Sequence, residues 1–370
     1  MQDITNLFYI FTILLIVQKY YNLNLFVLFL LFLNLLTVFL CNSVLFEVSF
    51  FGDQNEYVQI AHQIRAFEFE DISRGIFDRV FLSSLFFALF PIPFIESVYS
   101  VGMINFLLYL AVFLFAYKKG IFNSKIVLYF FLLYPSLILY SSLALRDMLI
   151  FTIMFFGVYY ILSHRYLVGF FILSLLALIK FQNLLIIVLA AILVTIFSKK
   201  IRPKYFLFSG VIFGIVFYQF IDYFSLEKIN YYSGVFYREN KEDMVEVFMS
   251  YTSYWDLFSS AFSKAIYFFF RPLPWIESGT FQWMQFLENM MIFFIFCYIW
   301  VKNSSLKLWK VQEVKFLNLM LIIAFVIYGL VMYNSGTAAR YKFPFVGVYV
   351  VFSLYLIYLA KIKQIITVKK

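Results

Sequence analysis

Three observations assign this sequence to the all-α polytopic membrane proteins. Hydrophobic residues make up 64% of the 370 and charged residues only 13%, against about 45–50% and about 25% in soluble domains. The apolar residues fall in continuous runs, which argues against a transmembrane barrel with its alternating pattern. Basic residues concentrate in one set of loops between those runs. The composition, with a mean hydropathy of +0.90, excludes a soluble enzyme, a disordered chain and a disulfide-rich secreted scaffold. Cys41 and Cys297 both lie in apolar runs and carry no disulfide or metal spacing.

A helix needs about 20 mainly apolar residues to cross the hydrocarbon. By that measure, spans are expected near 6–18, 24–42, 101–117, 126–141, 148–163, 166–180, 183–198, 205–221, 281–300, 316–333 and 343–360, about 11 in all. Lys180, Gln182 and Asn183 interrupt the stretch 166–198 and predict a tight turn there. The first run lacks the basic flank and cleavage site of a signal peptide. The chain reads as a single transmembrane domain, 1–370. It has a first long outer loop at 43–100 and a second at 222–280. Within them the apolar stretches 80–94 and 257–270 are too short to span comfortably, and helices lying on the outer interface are expected. No internal repeat is visible, which weighs against an inverted-repeat transporter.

Orientation follows from Lys and Arg. One face takes Lys118, Lys119, Lys125, Arg165, Lys199, Lys200, Arg202, Lys204, Lys302 and Lys310, with only Glu313 among the acids. That face is expected to be cytoplasmic, with the N-terminus periplasmic and the C-terminus cytoplasmic. The formal net charge of +9 is a topology signal and implies no nucleic-acid partner.

Five polar groupings map to the opposite face. The first loop carries Asp53, Gln54, Glu56 and Tyr57, then His62 and Arg65. A carboxylate beside low-dielectric walls suits a general base; a solvated loop of mixed charge is the alternative. Arg146-Asp147 opens a predicted span, as a phosphate-binding fork or as a local ion pair. Lys180 is a lysine within apolar sequence, a functional candidate by default or an interface anchor. Arg271 precedes Pro272-Leu273-Pro274, and Glu288 lies inside the next apolar run, where it needs a partner: Arg271, Arg340 or a ligand, a structural ion pair being the alternative to a site. Arg340 and Lys342 follow Ser335-Gly336-Thr337 and add positive charge before the last span.

Four segments resemble the GT-C superfamily of integral membrane glycosyltransferases. Gly52-Asp53 with Tyr57 and Ala61 is similar to its Asp-x-x-x-Tyr-x-x-x-Ala loop. Tyr134-Pro135 to Arg146-Asp147 resembles its Pro…Ser…Arg/Lys-Asp/Glu segment. Gly169 to Lys180 resembles a Gly…Leu-x-x-Leu-x-Lys helix pair. Arg271 to Trp275 with Glu288, and Arg340 to Pro344, look like C-terminal segments of members found among polysaccharide genes. The resemblance implies a GT-C-like fold in a bacterial inner membrane and a polyprenyl-(di)phosphate-linked sugar donor. It makes Asp53 the base on the acceptor hydroxyl, with Arg146, Lys180, Arg271 and Arg340 on the lipid phosphates. Size and span count are similar to Wzy-type repeat-unit polymerases, which would add a polyprenyl-linked glycan acceptor and a chain-length regulator protein as partners. A single-sugar transferase and a lipid-linked oligosaccharide flippase stay open. Two features depart from the pattern. Two spans, not one, precede the catalytic loop, and the paired acidic motif is absent. A divalent cation, Mg or Mn, therefore stays open as cofactor.

Overall fold

The computed structural model describes residues 2–47, 51–72, 75, 78–196, 225–238, 250–275, 279–332 and 335–368. Among them all regular structure is helical, and the chain divides into two compact units, Met1–Leu184 and Leu185–Lys370.

The first unit opens with α1 (Gln2–Tyr21) and α2 (Leu25–Phe39), the latter running into a π-helical turn, Leu40–Val44. Then come α3 (Asp53–Ala66), α4 (Arg79–Leu89) and α5 (Val98–Lys118). A capping box built by Ser97 and Ser100 starts α5, satisfying donors that a helix start otherwise leaves orphaned. The Ser97 hydroxyl also donates to Asp3 at 2.7 Å, and Asn6 pairs with Phe94 in both directions. At the other ends of the same helices Tyr21 meets Tyr117 edge-on. Helices α1 and α5 therefore run parallel, with Lys19, Lys118 and Lys119 at one end.

Next are α6 (Lys125–Leu133) and α7 (Pro135–Ser142), which meet at 47°. Pro135 has no N–H and pushes Tyr134 into an extended conformation, so the bend falls between them. Helix α8 (Asp147–Leu162) then turns at Ser163–Arg165, with His164 in the left-handed region, into α9 (Tyr166–Ser174) and α10 (Leu176–Ile179). The α8–α9 hairpin is close because two glycines face each other: a Cβ on Gly169 would lie 2.9 Å from the Gly157 carbonyl. The chain breaks at Lys180, and α11 (Phe181–Ile196) follows, beginning in the first unit and continuing into the second from Leu185.

The second unit contains α12 (Leu226–Arg238), α13 (Tyr254–Phe270), α14 (Thr280–Ser305), α15 (Gln312–Val331) and α16 (Ser335–Val368). Helices α13 and α15 pack backbone to backbone, because a Cβ on Gly329 would lie 2.7 Å from the Lys264 carbonyl oxygen.

Eleven spans are not what the described residues contain. Six helices are long and apolar enough to cross a membrane: α1, α2 with its π turn, α5, α14, α15 and α16 up to Gln364. The bent pair α6–α7 makes a seventh if it counts as one span. The excess arises from α8, the α9–α10 pair and α11, which are apolar but too short. Sixteen residues of α8 rise about 24 Å, short of about 30 Å of hydrocarbon. The expected span 205–221 lies outside the described residues. The two stretches 80–94 and 257–270 contain helices, the greater parts of α4 and α13.

Gly329→Ala should lower thermal stability in detergent by about 1–3 kcal/mol, since the opposing group is backbone and cannot rotate away. Gly75→Ala, with nothing within 4 Å, is the control and should leave the melting temperature unchanged.

Candidate functional site

The non-helical link from α7 to α8, residues 143–146, is buried, with Leu143, Ala144 and Leu145 all at 0% exposure. Buried backbone groups without partners cost about 1–3 kcal/mol each. Three side-chain amides supply the partners. Asn42, in the π turn after α2, donates to the Ser142 carbonyl at 2.9 Å and to that of Val38 at 2.7 Å. Asn105 of α5 donates to the carbonyls of Leu143 and Leu145 at 2.6 and 2.7 Å. Gln54 of α3 accepts from the Ala144 N–H at 2.7 Å. Helix α5 comes close enough for this because Gly102 has no side chain: a Cβ there would lie 2.5 Å from the Ser142 carbonyl oxygen.

The link presents Arg146 and Asp147. Asp147 is buried at 5% exposure in the first turn of α8. Arg146 is half-buried, and its Nη1 is buried with no acceptor among the described residues. The Gln54–Ala144 bond ties the start of α3 to this link, so Asp53 and Arg146 stand one and two residues from the two ends of a single hydrogen bond. Asp53 is exposed in the first turn of α3. Tyr57, one turn on, is buried at 1% and meets Phe87 of α4 edge-on. Lys180 ends α10 and is buried at 7%. Because α9–α10 runs back along α8, Lys180 returns toward the Arg146 end, and α10 packs against both α4 and α8.

Arg65 has a structural task. Its guanidinium donates to the carbonyls of Ala88, Phe90, Ile92 and Pro93, at 2.8, 2.5, 2.7 and 3.4 Å. Those carbonyls close the end of α4 and the segment after it. Partial burial pulls the Arg65 pKa below the ordinary arginine value.

In the second unit Arg271, Glu288 and Lys342 are buried at 3%, 9% and 3% exposure. Helix α13 ends at Phe270, leaving carbonyls without helical partners. Lys342 donates to the carbonyls of Phe269 and Arg271 and to Asn289 Oδ1, at 2.9, 3.4 and 2.6 Å. Those acceptors match the three donors of its ammonium. Asn289 donates to the carbonyls of Phe270 and Arg271. Glu288 and Lys342 also interact electrostatically. The Arg271 guanidinium lies 5.3 Å from the Tyr267 ring centre. Arg340, half-buried, lies half a turn before Lys342 in α16.

Sequence reasoning missed Asn42, Asn105 and Gly102, and named Gln54 only as part of a polar loop. The one signal for the two asparagines was an amide inside an apolar run, as in Met103-Ile104-Asn105-Phe106. Among the described residues no three His, Cys, Asp or Glu side chains come together to hold a metal ion. The chain matches no family model, no curated protein and no solved structure.

Asn105→Leu removes both donors from the Leu143 and Leu145 carbonyls. Thermal unfolding in detergent should show a loss of about 1–3 kcal/mol; a loss below about 0.5 kcal/mol would contradict the clamp. Lys342→Met should destabilise on the order of 3–5 kcal/mol by removing the donor to the α13 carbonyls and Asn289 Oδ1 and a buried positive charge near Glu288. Adding Glu288→Gln should recover part of that loss, and strict additivity of the two substitutions would refute their coupling.

Proposed function

We propose that the protein is an integral membrane glycosyltransferase that takes its sugar from a polyprenyl-(di)phosphate carrier. The particular reading is a Wzy-type polymerase of surface-polysaccharide repeat units, in a bacterial cytoplasmic membrane with its N-terminus periplasmic. The observation that carries it is the clamped link. It supports a half-buried arginine whose Nη1 has no acceptor among the described residues, and the Gln54–Ala144 bond ties it to the turn bearing an exposed carboxylate.

In this mechanism Asp53 takes the proton from the acceptor hydroxyl. The oxygen attacks the anomeric carbon from the face opposite the leaving group, so the configuration inverts. The bond from that carbon to the phosphate oxygen breaks, and its electron pair leaves with the phosphate. Arg146 donates to the departing oxygens, and Lys180 adds positive charge from the α10 end. A phosphate leaves without prior protonation, so one base suffices where a glycosidase needs two carboxyl groups. One well-placed donor contributes about 2.7–4 kcal/mol in the transition state, or about 10²–10³ in rate.

Glycan length on a gel of surface polysaccharide tests this, in a host lacking the gene and complemented with wild type, Asp53→Asn or Arg146→Ala. Only the wild type should restore long chains, while single-repeat glycans persist in both variants. Full rescue by Asp53→Asn would refute the transfer chemistry. Long chains of altered composition in the uncomplemented host would indicate single-sugar transfer from a polyprenyl monophosphate. Lipid-linked units trapped on the cytoplasmic side, with no surface glycan, would indicate a flippase.

A further inference from the structure

A second site lies on another face of α3. A cleft of about 640 Å³ runs beside Asn55, Gln59, His62 and Gln63, with Glu68 and Glu96 on its rim. That volume falls within the range of about 300–1,000 Å³ typical of small-ligand sites. The four α3 residues recur at helical spacing, so they form one stripe about 12 Å long at 1.5 Å per residue. The stripe differs from the core face of α3, made by Tyr57, Ile60, Ala61 and Ile64. It also differs from the side of α3 on which Gln54 reaches Ala144.

The chemistry of the lining narrows the ligand. Among the described residues lining the cleft none is Lys or Arg, so these side chains offer a phosphate no cation. Two carboxylates, three amides and one imidazole offer alternating donors and acceptors. Val58 and Val98 add two apolar side chains and no aromatic ring. A divalent cation is poorly served, since among the described residues His62, Glu68 and Glu96 do not converge as a metal-holding group. A neutral polyhydroxyl chain is the class that matches, its adjacent hydroxyls donating to the carboxylates and exchanging bonds with the amides.

We infer that this cleft holds the saccharide chain of the acceptor at a distance from its reacting hydroxyl. The inference rests on the glycosyl-transfer reading. Asn55 is two residues along α3 from Asp53, so the near end of the stripe lies about 3 Å along the axis from the proposed base. Binding energy gathered on remote sugars then holds the chain for repeated additions.

The probe is oligosaccharide released by mild acid from the host's own surface polysaccharide. It is titrated by calorimetry onto the purified full chain, with calcium chloride and inorganic phosphate as separate titrants. Saturable oligosaccharide binding is expected, at least tenfold weaker in Gln59→Ala/His62→Ala/Gln63→Ala and unchanged in Asp53→Asn. In cells the triple variant should shorten the chains, whereas Asp53→Asn should abolish them. Equal oligosaccharide binding by wild type and triple variant would overturn the cleft assignment, as would calcium or phosphate binding in place of oligosaccharide. Normal chains from Asp53→Asn would instead overturn the transfer reading, while the titration still judges the cleft. The three substituted side chains are polar and at least partly exposed, and an unchanged melting temperature separates lost binding from lost folding.

Discussion

Three amides hold the backbone between α7 and α8, and the first unit is organised around them. In an apolar interior a break in a helix leaves N–H and C=O groups that must be paired. Asn42, Gln54 and Asn105 do this from three different helices. Each imposes a further requirement. Asn105 reaches the link only because Gly102, less than a turn earlier, lets α5 approach the Ser142 carbonyl. Asn42 reaches it from a π turn, a distortion that re-aims a side chain off the end of α2. Gln54 brings the whole of α3, and α3 in turn carries Arg65, which closes the end of α4. The exposed Asp53 and the half-buried Arg146 flank the two ends of the Gln54–Ala144 bond in this order of contacts.

The second unit solves the same problem with a charge. Helix α13 stops at Phe270, and its last carbonyls are met by the Lys342 ammonium and the Asn289 amide. A cation at a helix C-terminus also complements the helix dipole. With three acceptors in place and Glu288 nearby, Lys342 is spent on architecture. Arg65 in the first unit and Lys342 in the second thus bind carbonyl oxygens of this chain. Arg146 differs from both in keeping Nη1 buried without such a partner among the described residues.

Long uninterrupted apolar runs were legible in the sequence, and α1, α2, α5, α14, α15 and α16 follow from them. So was the break at Lys180, because three polar residues within four positions are costly inside a span. Helix length was less legible. Hydropathy counts apolar residues but does not reveal that α8 stops at a left-handed turn at His164, or that α9 yields to α10 at Leu175. That is why the short helices read as spans in the sequence. Of the site, the charged residues stood out against their apolar setting. The amides did not, because Asn105 is one polar letter in a long run and its acceptors lie 38 and 40 residues away. Glu288 announced a need for a counter-charge, but its coupling to Lys342 depends on how α14 and α16 pack.

Equilibrium binding of a short-chain polyprenyl diphosphate to the purified protein, compared with Arg146→Ala, bears most directly on the role given to the clamped link. A charge-assisted hydrogen bond contributes about 1.5–3 kcal/mol. The variant should therefore bind about 10- to 150-fold more weakly, with its melting temperature unchanged. Equal affinity in wild type and variant would mean that Arg146 meets no lipid phosphate, and the account of the site would be wrong.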